Sequence, residues 1–183
     1  MAKSGRQAAL LRGINVGRAK RVAMADLRAL VAGLGYTDVR TLLNSGNVVY
    51  TAPGVKPEKA AAAIEKALRE RTGVSSRVTV LTAKEVAEIV ADNPLADEAD
   101  NPSRLMVTVL TDPADRTRLE PFAKQDWGDE RLALGKRVAY QWCPEGIATS
   151  TLVEAVGRTL GDAATTRNWA TLLKLHALLD AAE

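Results

Sequence analysis

The same order of strand and helix patterns occurs twice along this chain of 183 residues, and that repetition limits the fold more than any single motif does. Short apolar runs indicate strands, and apolar residues three or four positions apart indicate helices. In the first half these segments are, in order, the strand Ala8–Arg12, the helix Met24–Leu34, the strands Val39–Asn44 and Asn47–Ala52, the helix Glu58–Arg71 and the strand Arg77–Thr82. The two adjacent strands flank a two-residue turn and predict a hairpin, with a single bulged strand as the alternative.

The second half begins the same order again and departs from it only at its end. Its segments are the strand Leu105–Leu110, the helix Arg116–Lys124, the strands Arg131–Leu134 and Arg137–Trp142, and a helix between Thr151 and Leu160. Thr151 and Glu154 have the spacing of a capping box, in which each side chain accepts a hydrogen bond from the other residue's backbone N–H. Where the first half has its last strand, Arg167–Leu179 has the apolar spacing of a helix.

These patterns predict an α+β protein made of two tandem ferredoxin-like halves of βαββαβ type. Each half is expected to be an antiparallel sheet covered by helices, and the second half to end in a helix. A further capping-box pair, Thr82 and Glu85, predicts a short connecting helix that Asn93 and Pro94 end. The expected division is residues 1–91 for the N-terminal half, 92–103 for a linker and 104–183 for the C-terminal half.

Composition excludes several classes of protein. No apolar run approaches the roughly 18 residues of a membrane span, and no signal-type stretch follows the first residues, so we expect a cytoplasmic protein without a membrane partner. Cys143 is the only cysteine, which rules out an intrachain disulfide, and with His176 as the only histidine we expect no zinc site or other metal site. Neither side chain has a partner nearby in sequence, so no catalytic residue is assigned.

Charge is distributed unevenly along the chain. Residues 1–40 contain eight Lys or Arg and two Asp or Glu, whereas residues 85–100 contain six acidic and no basic residues. This distribution favours an anionic partner on one side of the protein, near its N-terminal turn.

A glycine-rich turn after the first strand is the strongest candidate for a binding site. Gly13 and Gly17 enclose Asn15, and Arg12 precedes them. Glycines at such a turn let backbone N–H groups approach an anion, but the spacing matches neither the Walker phosphate loop nor the dinucleotide fingerprint. Arg12, Asn15 and the basic side chains of residues 18–21 can hold a phosphate or carboxylate, and the alternative is a tight turn with a solvated basic rim.

Asn44, Ser45 and Asn47 form a second polar cluster, at the predicted hairpin turn. Their amides and hydroxyl can contact a base edge or a sugar. The alternative is an ordinary turn, since Asn and Ser also hydrogen-bond their own backbone.

A third polar cluster, Arg167, Asn168, Thr171 and Lys174, lies at the start of the last predicted helix. The spacing of Arg167, Thr171 and Lys174 places them on one helical face. A helix start with these side chains can bind an anion, and the alternative is a capped amphipathic helix with a solvated basic face.

Several separated motifs together carry a family resemblance that extends over nearly the whole chain. They are Leu11–Gly17, Met24–Arg28, Asn44–Val48, Asn93–Leu95 and Thr166–Leu175. In this order they resemble the bacterial Domain of Unknown Function 1697 (DUF1697) family. The resemblance implies duplicated ferredoxin-type units and no particular activity, and many relatives have a longer glutamine at the position of Asn44. It also implies one site formed by Arg12, Asn15, Asn47, Arg167, Asn168 and Lys174.

We therefore expect a small protein that binds an anionic ligand through the N-terminal turn and the start of the last helix. The ligand classes are a nucleotide, a phosphate-bearing metabolite and a nucleic acid, and the cofactor is unknown. Two alternatives stay open: an enzyme of unassigned reaction that uses the same groups, and a homo-oligomeric interaction protein, for example a homodimer, that uses a sheet edge or the apolar face of the last helix.

Overall fold

The computed structural model describes residues 5–181, which divide into two compact units. The first unit contains residues 5–86 and 175–181, and the second contains residues 87–174. The predicted boundaries of the two halves, at residues 91 and 104, stay predictions, and residues 1–4, 182 and 183 of those halves lie outside the described residues.

The first unit has the predicted order of strands and helices. Its elements are β1 (Arg6–Leu11), α1 (Met24–Ala32), β2 (Thr37–Leu42), β3 (Asn47–Thr51), α2 (Pro57–Thr72) and β4 (Val78–Thr82), with α3 (Ala83–Ala91) directly after them. The strands lie in the spatial order β2-β3-β1-β4, and every neighbouring pair is antiparallel. β2 and β3 form the predicted hairpin, so the alternative of one bulged strand is wrong; four residues, 43–46, connect them rather than two.

Helices α1 and α2 pack on one face of this sheet. Alternate strand residues such as Ala9, Leu11 and Tyr50 belong to the same buried cluster as Leu27 of α1 and Ile64 of α2. Burying a large aliphatic side chain stabilises a fold by about 1.5–3 kcal/mol, so this cluster holds the two helices against the sheet.

The second unit contains a second sheet. Its elements are β5 (Leu105–Leu110), α4 (Glu120–Ala123), β6 (Arg131–Leu134), β7 (Val138–Trp142), α5 (Thr151–Leu160), β8 (Ala164–Asn168) and the first part of α6 (Trp169–Asp180). The spatial order is β6-β7-β5-β8, again antiparallel throughout. Over residues 5–181 there are two four-stranded antiparallel sheets and six helices, and the last element is a helix, which confirms the predicted α+β class.

The prediction that a helix replaces the last strand of the second half is wrong. β8 pairs antiparallel with β5, and α6 begins only at Trp169. The β-branched Thr165 and Thr166 fit a strand, where their side chains pack well. Arg167 lies in this strand, so it does not share a helical face with Thr171 and Lys174 as we predicted.

The predicted helix Arg116–Lys124 is also only partly correct. A 3-10 helix covers Pro113–Leu119, and α4 supplies just four α-helical residues. Pro121 has no N–H to donate to the Thr117 carbonyl, so one continuous α-helix would lose a bond at this point.

One predicted capping box is confirmed and the other is wrong. The Thr82 N–H donates to the Glu85 carboxylate at 2.8 Å, and the Glu85 N–H donates to Thr82 Oγ1 at 3.1 Å. At α5, however, Ser150 rather than Thr151 caps the helix, because its Oγ accepts the Val153 N–H at 3.0 Å.

Candidate functional site

The glycine-rich turn is held in shape mainly by Asn15. Gly13, Asn15 and Gly17 have φ values of 67°, 55° and 62°, so every second residue has left-handed backbone. The Asn15 side chain accepts the Val22 N–H and donates to the Val22 carbonyl, both at 2.8 Å. Ile14 is only 1% exposed, so its side chain anchors the turn in the core. The bonds between Asn15 and Val22 hold the two ends of the turn together.

The structure brings this turn against the hairpin turn, both within the first unit. Asn15 Nδ2 donates to the Asn44 carbonyl at 2.8 Å, and the Leu11 N–H donates to the Gly46 carbonyl at 2.8 Å. A Cβ placed on Gly46 would lie 2.7 Å from Ile14 Cδ1. Two of the three predicted polar clusters therefore meet.

The amide side chains in these clusters bond within the protein. Asn47 is fully buried, and its Nδ2 donates to the Leu42 carbonyl at 2.7 Å and to Ser45 Oγ at 2.9 Å. The bonds of Asn47 lie within the hairpin turn, whereas Asn15 joins the two turns. The side chains of Asn44 and Ser45 are exposed at the hairpin turn.

Basic side chains surround the joined turns. The Arg12 N–H donates to the Arg77 carbonyl at 2.9 Å, and Ser76 Oγ donates to the Arg12 carbonyl at 2.8 Å, so the ends of β1 and β4 add a further arginine to the turn. We call these five exposed residues the basic rim: Arg12, Arg18, Lys20, Arg21 and Arg77. Val16 and Leu43, at 70% and 49% exposure, stand on the same two turns.

The third predicted cluster lies in the second unit and divides into buried and exposed members. Arg167 is 8% exposed, donates to Thr165 Oγ1 and the Thr166 carbonyl at 3.0 Å each, and has its pKa lowered to about 10 by burial. Asn168 Oδ1 accepts hydrogen bonds from both the backbone N–H and the Oγ1–H of Thr171, each at 2.9 Å. The Asn168 side chain therefore caps the start of α6. Lys174 is exposed. That these residues share a ligand with Arg12 stays a prediction.

Sequence reasoning missed one hydrogen-bonded cluster in the second unit, centred on Glu130. Its carboxylate accepts the Ser150 hydroxyl, the Thr151 hydroxyl at 3.1 Å and the Leu152 N–H at 3.3 Å. Burial raises the pKa of Glu130, but these hydrogen bonds outweigh it and leave the pKa below its usual value. The cluster has no sequence signature, because about 20 residues separate Glu130 from the helix start that it contacts.

Cys143 joins this cluster as a buried thiol. Its Sγ donates to Ser150 Oγ at 3.4 Å, and burial, together with the nearby Glu130 carboxylate, raises the pKa of the thiol to about 11 although the Ser150 bond lowers it. Cys143 is buried, and a thiol that stays protonated is a poor nucleophile.

Two negative observations apply to residues 5–181. No group of three or more His, Cys, Asp or Glu side chains there is arranged to hold a metal ion. None of the helices in this part of the chain is long and apolar enough to cross a membrane.

Comparison with known proteins identifies a solved structure of similar fold and a matching sequence family. The structure of a conserved bacterial protein from Streptococcus pneumoniae is similar to this one, with a TM-score of 0.78 and 23% sequence identity over 96% of this chain and 98% of the other. No curated protein matches the sequence. Residues 5–140 match the family described as "Protein of unknown function (DUF1697)". This match covers most of the chain, and the protein belongs to the DUF1697 family.

Proposed function

We propose that the N-terminal unit binds a phosphate-bearing polyanion, with nucleic acid as the chief candidate, through the basic rim. The observation that carries this proposal is the junction of the two turns, which gathers five exposed cationic side chains at one end of the sheet. No Asp or Glu occurs from residue 12 to residue 25, so all the charged residues in this stretch of sequence are basic. Phosphate contacts by Lys and Arg supply most of the sequence-independent affinity for nucleic acids.

The exposure of the rim favours an extended ligand over a small one. Pockets for small molecules typically bury most of the ligand surface, whereas basic side chains on an open surface can each contact a different phosphate. A single nucleotide or a phosphate-bearing metabolite would reach only part of the rim. We therefore expect such small ligands to bind more weakly than a strand of about 20 nucleotides.

We propose that each unit is ferredoxin-like, which is supported by the order β2-β3-β1-β4 and its counterpart β6-β7-β5-β8. We also propose that the protein is bacterial and acts in the cytoplasm, where its proposed nucleic-acid ligands occur.

The proposal predicts binding that weakens with salt in proportion to the number of phosphate contacts. Fluorescence anisotropy with labelled RNA, single-stranded DNA and duplex DNA of about 20 nucleotides tests this, with ATP and inorganic phosphate as small competitors. Replacing Arg18 and Arg21 by Gln should lower the slope of log K against log salt concentration by about 2, since each residue is expected to neutralise one phosphate.

The matched control removes the same charge elsewhere in the first unit. Lys59 and Arg69 are exposed on α2, and their double Gln variant should leave affinity and salt slope nearly unchanged. Equal losses in the two double variants would mean that only net charge matters and would contradict a defined site. The absence of binding to every probe by the unmodified protein would overturn the proposal.

A further inference from the structure

A cavity of about 420 Å³ lies in the first unit, apart from the basic rim. Three segments line it: residues 5–7 at the start of β1, residues 54–57 between β3 and α2, and residues 82–84 where β4 meets α3. The basic rim stands at the other end of β1, whose six residues span about 20 Å at roughly 3.3 Å each. The cavity is thus a separate feature of the same unit.

Three cationic side chains line this cavity: Arg6, Lys56 and Lys84. The described residues that form its lining include no Asp or Glu. The remaining walls are partly apolar, with Val55 and Pro57 among them. Positive charge beside an apolar wall suits a ligand that has an anionic head group and an apolar body.

Arg6 is held in a fixed position at the cavity. Its guanidinium donates to the Leu178 carbonyl at 2.9 Å and to the Ala181 carbonyl at 2.8 Å, at the end of α6. These bonds use two of the five N–H donors of a guanidinium. A cation that is already oriented loses little conformational entropy when it binds an anion.

Gln7 connects two of the segments that line the cavity. Its side chain is 3% exposed, donates from Nε2 to the Val55 carbonyl at 2.7 Å and accepts the Tyr50 hydroxyl at 3.0 Å. The loop before α2 is therefore tied to β1 and β3. Two segments of the cavity lining are thus held together by a side-chain hydrogen bond.

From these observations we propose that the cavity binds a small organic anion, with a phosphate or carboxylate head group near Arg6, Lys56 and Lys84 and an apolar body against Val55 and Pro57. The volume falls within the range of about 300–1,000 Å³ that is common for small-molecule sites. This ligand class differs from the polyanion proposed for the basic rim, and the cavity does not depend on that proposal.

Four probes separate the head group from the apolar body: phenyl phosphate, benzoate, inorganic phosphate and benzyl alcohol. In calorimetric titrations of the full chain, phenyl phosphate or benzoate should bind more tightly than inorganic phosphate, and the neutral alcohol should not bind. Preference for phenyl phosphate or for benzoate identifies the head group. The absence of binding by both anions at millimolar concentration would overturn the proposal.

Variants test whether binding occurs in the cavity. Removing both lysines, Lys56→Gln with Lys84→Gln, should weaken the better anion by at least about tenfold. Ala83→Leu keeps every charge and fills space in the cavity, so it should also weaken binding; circular dichroism checks that it folds. Unchanged affinity in both variants would contradict the site.

Two further variants separate this site from the basic rim. The Lys59 and Arg69 double Gln variant, which removes two charges outside the cavity lining, should bind the small anion normally. The Arg18 and Arg21 double Gln variant should lose nucleic-acid affinity but keep the small anion. A loss of small-anion binding in either variant would contradict a separate cavity site.

Discussion

Gly46 shows how one residue can decide the geometry of the candidate site. Its φ of +89° and its contact with the Ile14 side chain permit no Cβ without movement, since the nearest atom would lie 2.7 Å away. Ile14 is buried and cannot easily move. The junction of the two turns, and with it the arrangement of the basic rim, depends on this glycine.

We predict that Gly46→Ala lowers the free energy of unfolding by about 2–4 kcal/mol, which combines left-handed backbone cost with overpacking. Gly35→Ala is a matched control, because Gly35 has a φ of +88° and no atom within 4 Å of its ideal Cβ. That control should show the backbone cost alone, about 1–2 kcal/mol. Urea unfolding of both variants gives the comparison, and equal losses would mean that the contact with Ile14 is unimportant.

Glu130 should make the stability of the second unit dependent on pH. The pKa of its carboxyl is lowered in the folded protein, where burial opposes and the hydrogen bonds from Ser150, Leu152 and Thr151 favour the charged form. The stabilisation is therefore complete above the ordinary pKa of 4.5 and is lost as pH falls through the lower folded value.

Glu130→Gln should consequently destabilise the protein more at pH 7 than at pH 3.5, as measured by chemical unfolding at the two values. Glu145→Gln is the control, because Glu145 is exposed. A difference between wild type and Glu130→Gln that stays constant with pH would show that the charge of Glu130 does not contribute.

At the scale of secondary structure, the junction of β8 and α6 determines where the third polar cluster lies. β8 ends at Asn168, and the side chain of that residue caps the helix through Thr171. The strand also buries Arg167 beside Thr165, a position that a helical residue would not have. Asn168 and Thr171 therefore form a capped helix start, which was the alternative interpretation of this cluster. Lys174 is exposed on the same helix.

Asn168→Ala should lower stability by about 1 kcal/mol, because the Thr171 N–H loses its acceptor. Asn168→Asp retains an acceptor oxygen and adds negative charge near the start of α6, so it should be tolerated. Thermal unfolding distinguishes the two changes. Equal destabilisation by both would indicate that the cap is not the reason for the loss.

At the scale of the whole molecule, the two units share one strand order but present different surfaces. The first unit has the basic rim at one end of its sheet and the cationic cavity at the other. The second unit has the partly buried Glu130 cluster and the buried Arg167 instead. Their common sheet topology therefore supports different side-chain arrangements, in line with the general rule that function belongs to sites rather than to folds.

The sequence alone determined the α+β class, the strand and helix order of the first unit, the hairpin and the helical end. These features follow from local hydrophobic periodicity and from turn residues, which act over a few positions. Local patterns missed β8, because Thr165 to Asn168 directly precede a strongly periodic helix. These residues form a strand only through their pairing with β5. They also predicted one helix over Arg116–Lys124, where the structure has a 3-10 helix followed by the short α4.

Long-range packing determines which of the candidate polar groups are buried and which are exposed. The sequence identified Arg12, Asn15, Asn44, Ser45 and Asn47, but packing assigns the Asn15 and Asn47 amides to internal hydrogen bonds and leaves Arg12 exposed. The cavity beside Arg6 joins segments about 75 residues apart, and no short motif records it. Residue types and their spacing thus determined the elements, whereas long-range contacts determined the candidate sites.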